Sequence, residues 1–132
     1  MHIALFTDSN IRYLDGVARI VQELMVYLTA RTEHRLTVFH RDTAAPPPEA
    51  VAQNVTVHGI RAPIVGIPGY DAYPFSYILS PKRQILQIVK DTNVDVLLSV
   101  TPYISRGVGN SSIFVSKKIN KPLVGSFDVP LG

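Results

Sequence analysis

The hydrophobic period of this chain changes once near its start, and that change limits the folds open to it. Ile3 to Phe6 is apolar without interruption, the pattern of a strand covered on both faces in a parallel sheet. From Gly16 the apolar residues Val17, Ile20, Val21, Leu24, Met25 and Leu28 recur at i, i+3, i+4, i+7, i+8 and i+11. That spacing predicts one stripe on an α-helix running from about Gly16 to about Arg31. Asp15 is placed to cap the helix, and Arg31 to suit the negative end of its dipole.

The alternation continues along the chain. Leu36, Val38 and Phe39 predict a second strand, and TAAPPPEA, with three consecutive prolines, predicts a surface loop that holds neither helix nor strand. Val55, Val57 and Ile60 predict a third strand. A long stretch with Pro63, Pro68, Gly69 and Pro74 follows, and loops of that length are often functional. Ser80 as N-cap and Pro81 at the first position predict a second helix, buried through Ile85, Ile88 and Val89. Val94 to Val100 reads as a fourth strand and Thr101 to Asn110 as a loop. Ser111 or Ser112 would cap a helix to about Ile119, ended by Asn120-Lys121-Pro122, and Leu123 to Phe127 reads as a fifth strand.

This order predicts an α/β fold: one Rossmann-like three-layer α/β/α domain with a mostly parallel sheet. Ligands in such sheets bind at the carboxyl ends of the strands, near the point where strand order reverses. The segments expected to matter are therefore Thr7 to Asp15, Pro63 to Leu79, Thr101 to Asn110 and everything after Phe127.

Composition narrows the chemistry. The absence of cysteine removes disulfides, thiolate nucleophiles and cysteine-based zinc sites. The formal charge is +3, from 13 basic and 10 acidic residues, and the bases are scattered except at Lys82-Arg83 and around Lys117-Lys118 with Lys121. That is too thin for a nucleic-acid footprint, though it suits an anionic ligand or membrane surface. HIALFT runs straight into Asp8 without the basic region and cleavage site of a signal peptide, which leads to the expectation of a cytoplasmic protein. The sequons at Asn54 and Asn110 are then expected to be chance matches. His2, His34, His40 and His58 show no metal-ligand spacing, so no metal is expected. Asp8 and Asp15 could form a carboxylate pair, although Asp15 is also explained as a cap.

Gly16 has two local readings. A strand, a loop and a glycine opening a helix is the geometry in which backbone N–H groups face phosphate, and it is also a place where glycine eases a tight turn. No G-x-G-x-x-G or Walker A pattern accompanies it.

The letters around Gly16 add a resemblance. DSNIRYLDGVARIVQELMVYLTARTEHRLTVFHR resembles the opening of the family 4 retaining glycosyltransferases, whose first helix reads P-x-x-N-G-V-A-R-V-V-x-x-L. Pro68 to Pro102 is similar to that family's acceptor-side loop, basic helix and P-D-V-V-H-V-x-T-P strand, and KINKPLVGSFDVPLG to its last N-terminal strand and loop. The look is closest to lipid mannosyltransferase and sulfoquinovosyltransferase members.

The resemblance implies one half of a GT-B enzyme that moves a sugar, with retention and without metal or other cofactor, from a nucleotide diphosphate sugar to a lipid or glycan. It implies that Gly16, with Asp15 and Val17, meets the donor diphosphate. Tyr13, Tyr70, Tyr73, Thr101 and Tyr103 would line the acceptor cleft. Asp128 stands in Ser126-Phe127-Asp128 where the family has a histidine that orients the donor sugar, and Ser99 replaces another family histidine. The family's nucleotide-sugar domain, with its two glutamates seven residues apart, has no counterpart here. The chain therefore reads as an N-terminal acceptor-side domain, incomplete at its C-terminal end and inactive alone, with peripheral contact at the inner face of a membrane. The alternatives are a stand-alone Rossmann-like binding module without chemistry and, more remotely, a flavodoxin-like small domain.

Overall fold

A computed structural model describes residues 1–11, 16–42, 47–61, 64–65, 76–77, 81–100 and 108–126. In chain order its elements are β1 (His2–Thr7), α1 (Gly16–Thr29), β2 (Arg35–Arg41), β3 (Glu49–Ala52), β4 (Val55–Ile60), β5 (Ile64–Val65), β6 (Ser76–Tyr77), α2 (Lys82–Lys90), β7 (Val96–Val100), α3 (Val108–Ile119) and β8 (Leu123–Ser126). Six strands form one sheet in the order β3-β4-β2-β1-β7-β8, parallel except for β3. The other two, β5 and β6, pair as a short antiparallel ribbon.

The strands of the sheet centre are mostly apolar because both of their faces are covered. Leu5, Leu36, Val38, Val55 and Val57 pack under Val17, Val21, Met25 and Leu28 of α1. Ala4, Phe6, Phe39 and Leu97 pack on the opposite face under Ile85, Leu86 and Val89 of α2 and Val108 and Val115 of α3. The crossover through α1 leads from β1 to β2, and the one through α3 leads from β7 outward to β8. Right-handed connections running in opposite directions put their helices on opposite faces. Strand order reverses between β1 and β7, so this is the three-layer α/β/α arrangement that the hydrophobic pattern predicts.

Several boundaries differ from the sequence reading. Helix α1 ends at Thr29 rather than Arg31. Arg31 still serves the helix end, since its Nη1 donates to the Tyr27 carbonyl at 2.7 Å and its guanidinium lies 3.4 Å from the Tyr27 ring centroid. The buried face of α1 is Val17, Ala18, Val21, Met25 and Leu28, and Ile20 is 39% exposed. The small Ala18 lets the helix axis lie close to the sheet, and Ile20 is turned to its flank. Pro81 is the N-cap of α2 without a side-chain cap bond, one position earlier in the helix frame than expected. The fourth predicted strand starts at Val96.

The TAAPPPEA loop is shorter than expected, because Glu49 and Ala50 already belong to β3. A proline-rich approach to an antiparallel edge strand is allowed, because an edge needs only half its backbone groups paired. Asn54 closes this hairpin against the end of α1. Its Nδ2 donates toward the carbonyls of Leu28 at 2.7 Å, His34 at 2.9 Å and Arg31 at 3.1 Å. These carbonyls lie at the end of α1 and in the turn that follows it, where Leu28 and Arg31 also accept the backbone N–H groups of Arg31 and His34. The Asn54 sequon is therefore occupied structurally, and Asn54 is 7% exposed.

At the amino edge, His2 donates its backbone N–H to the Asp95 carboxylate at 2.7 Å, and its Nε2 meets Thr37 Oγ1 at 2.7 Å. Burial, with the Arg35 charge adding, lowers the His2 pKa, and the His2 N–H lowers that of Asp95. A cleft of about 250 Å³ opens on this edge beside Lys90, Asp95 and Lys121. It lies at the opposite end of the sheet from the carboxyl termini of the strands.

Replacing Asn54 tests its bridging role. Asn54→Ala should cost about 2 kcal/mol in urea denaturation, for the loss of buried donors to the α1 end. Asn54→Asp should cost more, because a carboxylate offers no donor and repels the same carbonyls.

Candidate functional site

At the carboxyl ends of β1 and β2 a set of polar residues is buried where the strands stop. Thr7, Asp8, Ser9 and Asn10 continue β1, and His40, Arg41 and Asp42 end β2, all less than 9% exposed. Buried polar groups need partners, and most of these have identifiable ones. Ser9 N–H donates to Thr7 Oγ1 at 3.2 Å, an ordinary local turn bond. Ile11 N–H donates to His40 Nδ1 at 3.4 Å, which leaves the His40 proton on Nε2 when the ring is neutral. Gln22 Nε2 of α1 donates to the Ile11 carbonyl. The turn after β1 is thereby tied to both β2 and α1.

Asp8 crosses the reversal point of the sheet. One carboxylate oxygen accepts the Val108 N–H at 2.8 Å and the other accepts the Gly109 N–H at 3.3 Å. These are the first N–H groups of α3, so a side chain about a hundred positions earlier performs the helix capping expected of a neighbouring serine. Ser111 and Ser112 are instead buried inside the helix, where Ser112 Oγ donates to the Gly109 carbonyl at 2.6 Å. Helix α3 starts at Val108, so the last three positions of the expected Thr101 to Asn110 loop are helical. Its other end has Asn120 at φ 55° and a bond from Lys121 N–H to the Ser116 carbonyl, the helix stop that the Asn-Lys-Pro segment predicts.

Asp8 is committed to α3, where its oxygens neutralise the positive end of the helix, and the carboxylate pair expected with Asp15 involves a residue outside the described ones. The same arrangement fills the anion position of α3 with the protein's own carboxylate. Ser99 on β7 is 1% exposed and donates to the Gly109 carbonyl at 3.0 Å, pinning the same helix turn. Its role is packing at the place where the resemblance has a histidine.

Helix α1 opens differently. Gly16 is exposed, and a Cβ built on it would meet nothing within 4 Å. Its φ is not in the left-handed region. Neither a tight turn nor internal crowding therefore asks for glycine here. Val17 is buried in the α1 core, so only its backbone N–H remains to face a ligand. The other expected site residues, Tyr13, Asp15, Tyr70, Tyr73, Thr101, Tyr103 and Asp128, lie outside the described residues. Among the described residues no three His, Asp or Glu side chains gather as a cation site.

Sequence reasoning passed over His40-Arg41-Asp42. The available signal was three polar residues in succession at the carboxyl end of a strand that is otherwise mostly apolar, in a fold whose ligands bind at that edge.

Comparison with known proteins supports the fold. A crystal structure of a UGT transferase from Siraitia grosvenorii in complex with UDP superposes with a TM-score of 0.52 at 12% sequence identity. The match covers 96% of this chain and 28% of that one. At this identity the likeness is one of architecture. No protein-family model matches the sequence. No curated protein matches it.

If Asp8 works as the cap of α3, Asp8→Ala should destabilise the protein by about 3 kcal/mol, the scale of two bonds to a charged acceptor. Asp8→Asn keeps one acceptor oxygen and should lose roughly half as much. Equilibrium denaturation reads both, and unchanged stability in Asp8→Ala would return this carboxylate to the pool of catalytic candidates.

Proposed function

We propose that this chain is the acceptor-side domain of a retaining glycosyltransferase of the GT-B kind. In this reading it works with a second domain outside the chain that reads the nucleotide and the sugar, and the acceptor is a lipid or a glycan. The single observation that carries the proposal is Gly16: an exposed glycine at the open end of α1, at the carboxyl edge of a parallel sheet, in a place where the fold itself has no use for glycine. The chain-long resemblance supports it, as does an architecture shared with a transferase solved in complex with UDP.

The chemistry follows from electrostatics. Departure of a nucleoside diphosphate leaves negative charge on phosphate oxygens, and the N–H groups of the first turn of α1, with the helix dipole behind them, stabilise charge that develops there. The missing Cβ lets those oxygens approach the backbone. No divalent cation is required in this scheme, because the fixed dipoles supply the positive field. Asp128 then sits near the donor sugar as a hydrogen-bond acceptor, and Tyr13, Tyr70, Tyr73, Thr101 and Tyr103 line the acceptor cleft.

A second reading, a binding module without transfer chemistry, has its own support. Ser99 and Asp8 at the reversal point are both spent on holding α3. Turnover of a nucleotide sugar by the full-length protein separates the two readings.

The acceptor's setting is proposed from charge. Lys82 Nζ and Lys118 Nζ lie 4.8 Å and 5.5 Å from the Phe114 ring centroid, with Arg83 and Lys117 exposed nearby in sequence and Ile113 43% exposed. Cations around apolar side chains on the outer surface of α2 and α3 suit the headgroup region of an anionic bilayer. No helix among the described residues is long and apolar enough to cross a membrane.

UDP and other nucleoside diphosphates, titrated against the full-length protein, should raise its Tm, by the equivalent of about 2.7 kcal/mol at a hundredfold excess over Kd. Gly16→Ala should abolish that response while leaving ligand-free stability unchanged or raised by up to about 1 kcal/mol. An equal response in both proteins would remove Gly16 from the site. Separately, co-sedimentation with liposomes should increase with the anionic lipid fraction and fall with salt. Binding indifferent to lipid charge would overturn the membrane assignment.

A further inference from the structure

Arg41 presents a problem that the described residues do not solve. It is the last residue of β2, 2% exposed, and the largest of the fully buried side chains. Its Nε and Nη2 are sealed from solvent, and among the described residues neither has a hydrogen-bond partner. A buried guanidinium keeps its charge, and taking it out of water without an acceptor is strongly unfavourable.

The surrounding register shows why no acceptor among the described residues answers. Phe6 pairs with Phe39 across β1 and β2, so continuing that register by two residues sets Asp8 level with Arg41 on the α2 and α3 face. Both Asp8 oxygens are engaged by Val108 and Gly109 of α3. On the other side Arg41 is paired with Ile60 of β4, which is apolar. Asp42 follows in sequence and so alternates away from that face.

The two unpartnered atoms are also the right pair. Nε and Nη2 form one edge of the guanidinium fork, with parallel N–H bonds that match two oxygens of one carboxylate or phosphate. We propose that Arg41 is the receptor for a ligand oxyanion, phosphate or carboxylate, that docks two oxygens on this edge at the carboxyl end of β2. The end of the strand is the side from which ligands reach folds of this order. The site is separate from the opening of α1, because Arg41 shares its face of the sheet with Phe39 and α1 covers the other. On the transferase reading the ligand is an acceptor that carries its own negative charge, but the oxyanion site does not rest on that reading.

The test titrates the full-length protein with inorganic phosphate and with acetate at constant ionic strength, following Tm and calorimetric heat, in wild type, Arg41→Met and Arg41→Lys. Wild type should be stabilised by at least one of the two anions, and which one identifies the oxyanion as phosphate or carboxylate. Arg41→Met should bind it at least about tenfold more weakly, and Arg41→Lys should fall between, since it keeps the charge without the fork. Ligand-free Arg41→Met should have a Tm equal to or above that of wild type, because an apolar chain of similar length replaces an unpaired buried charge.

Three results would overturn the proposal: no response of wild type to either anion, an undiminished response in Arg41→Met, or a marked fall in the ligand-free stability of that variant, including failure to fold. The last would mean that the protein already pairs the guanidinium. A parallel UDP titration with Gly16→Ala keeps the two sites apart. A wild type that ignores UDP but responds to phosphate or acetate supports the Arg41 site and removes only the donor assignment. The converse removes the Arg41 site alone.

Discussion

Parallel pairing of β1 with both β2 and β7 is the constraint from which the rest of the domain follows. A parallel neighbour cannot be reached by a tight turn, so each pairing demands a crossover, and a crossover lays a helix on the sheet. Because β1 is flanked on both sides, helices cover both of its faces, and its residues must be apolar in both directions. Leu5 lies under α1, while Ala4 and Phe6 lie under α2 and α3. The same pairing brings the carboxyl ends of the three central strands to one edge and leaves a gap where the connections diverge.

That edge is where the backbone of the fold concentrates positive potential, and the protein disposes of it unequally. The end of α3 receives an internal carboxylate, Asp8, which settles its dipole and binds the first strand to the last helix. The end of α1 opens with a glycine on which an added Cβ would meet nothing within 4 Å. At the end of β2 stands a guanidinium whose Nε and Nη2 have no hydrogen-bond partner among the described residues. A carboxylate built into one helix end stabilises the fold, whereas the Arg41 guanidinium and the opening of α1 are the features on which anion binding at this edge is proposed. This division is the physical basis for placing function at this end of the sheet rather than at the amino edge, where the cleft beside Lys90 and Lys121 lies.

Much of the fold was legible because it rests on short-range patterns. The stripe through Val17, Val21, Met25 and Leu28 can bury itself only as a helix, and the runs around Leu5 and Leu97 only as covered strands. The misplacements have a common origin in distant partners. Ser111 and Ser112 have the chemistry of helix caps, yet Asp8 takes that role from the far end of the chain. Ile20 fits the helical stripe, but the position of Ala18 against the sheet turns it aside. Glu49 and Ala50 follow prolines and read as loop until β4 offers them an edge. The candidate site was legible in the same uneven way: Gly16 stands out by its place between strand and helix, whereas Arg41 looks like an ordinary strand-end charge.

By itself the sequence determined the class of the domain and the alternation of strands and helices, because period and residue type act over a few neighbouring positions. Only the tertiary structure decided which polar groups are spent on the fold. Asp8 is committed to α3, Asn54 to the end of α1 and Ser99 to Gly109, while Arg41 Nε and Nη2 find no partner among the described residues. Hydrogen bonds and ion pairs are made in space, between residues whose separation along the chain carries no record of the encounter.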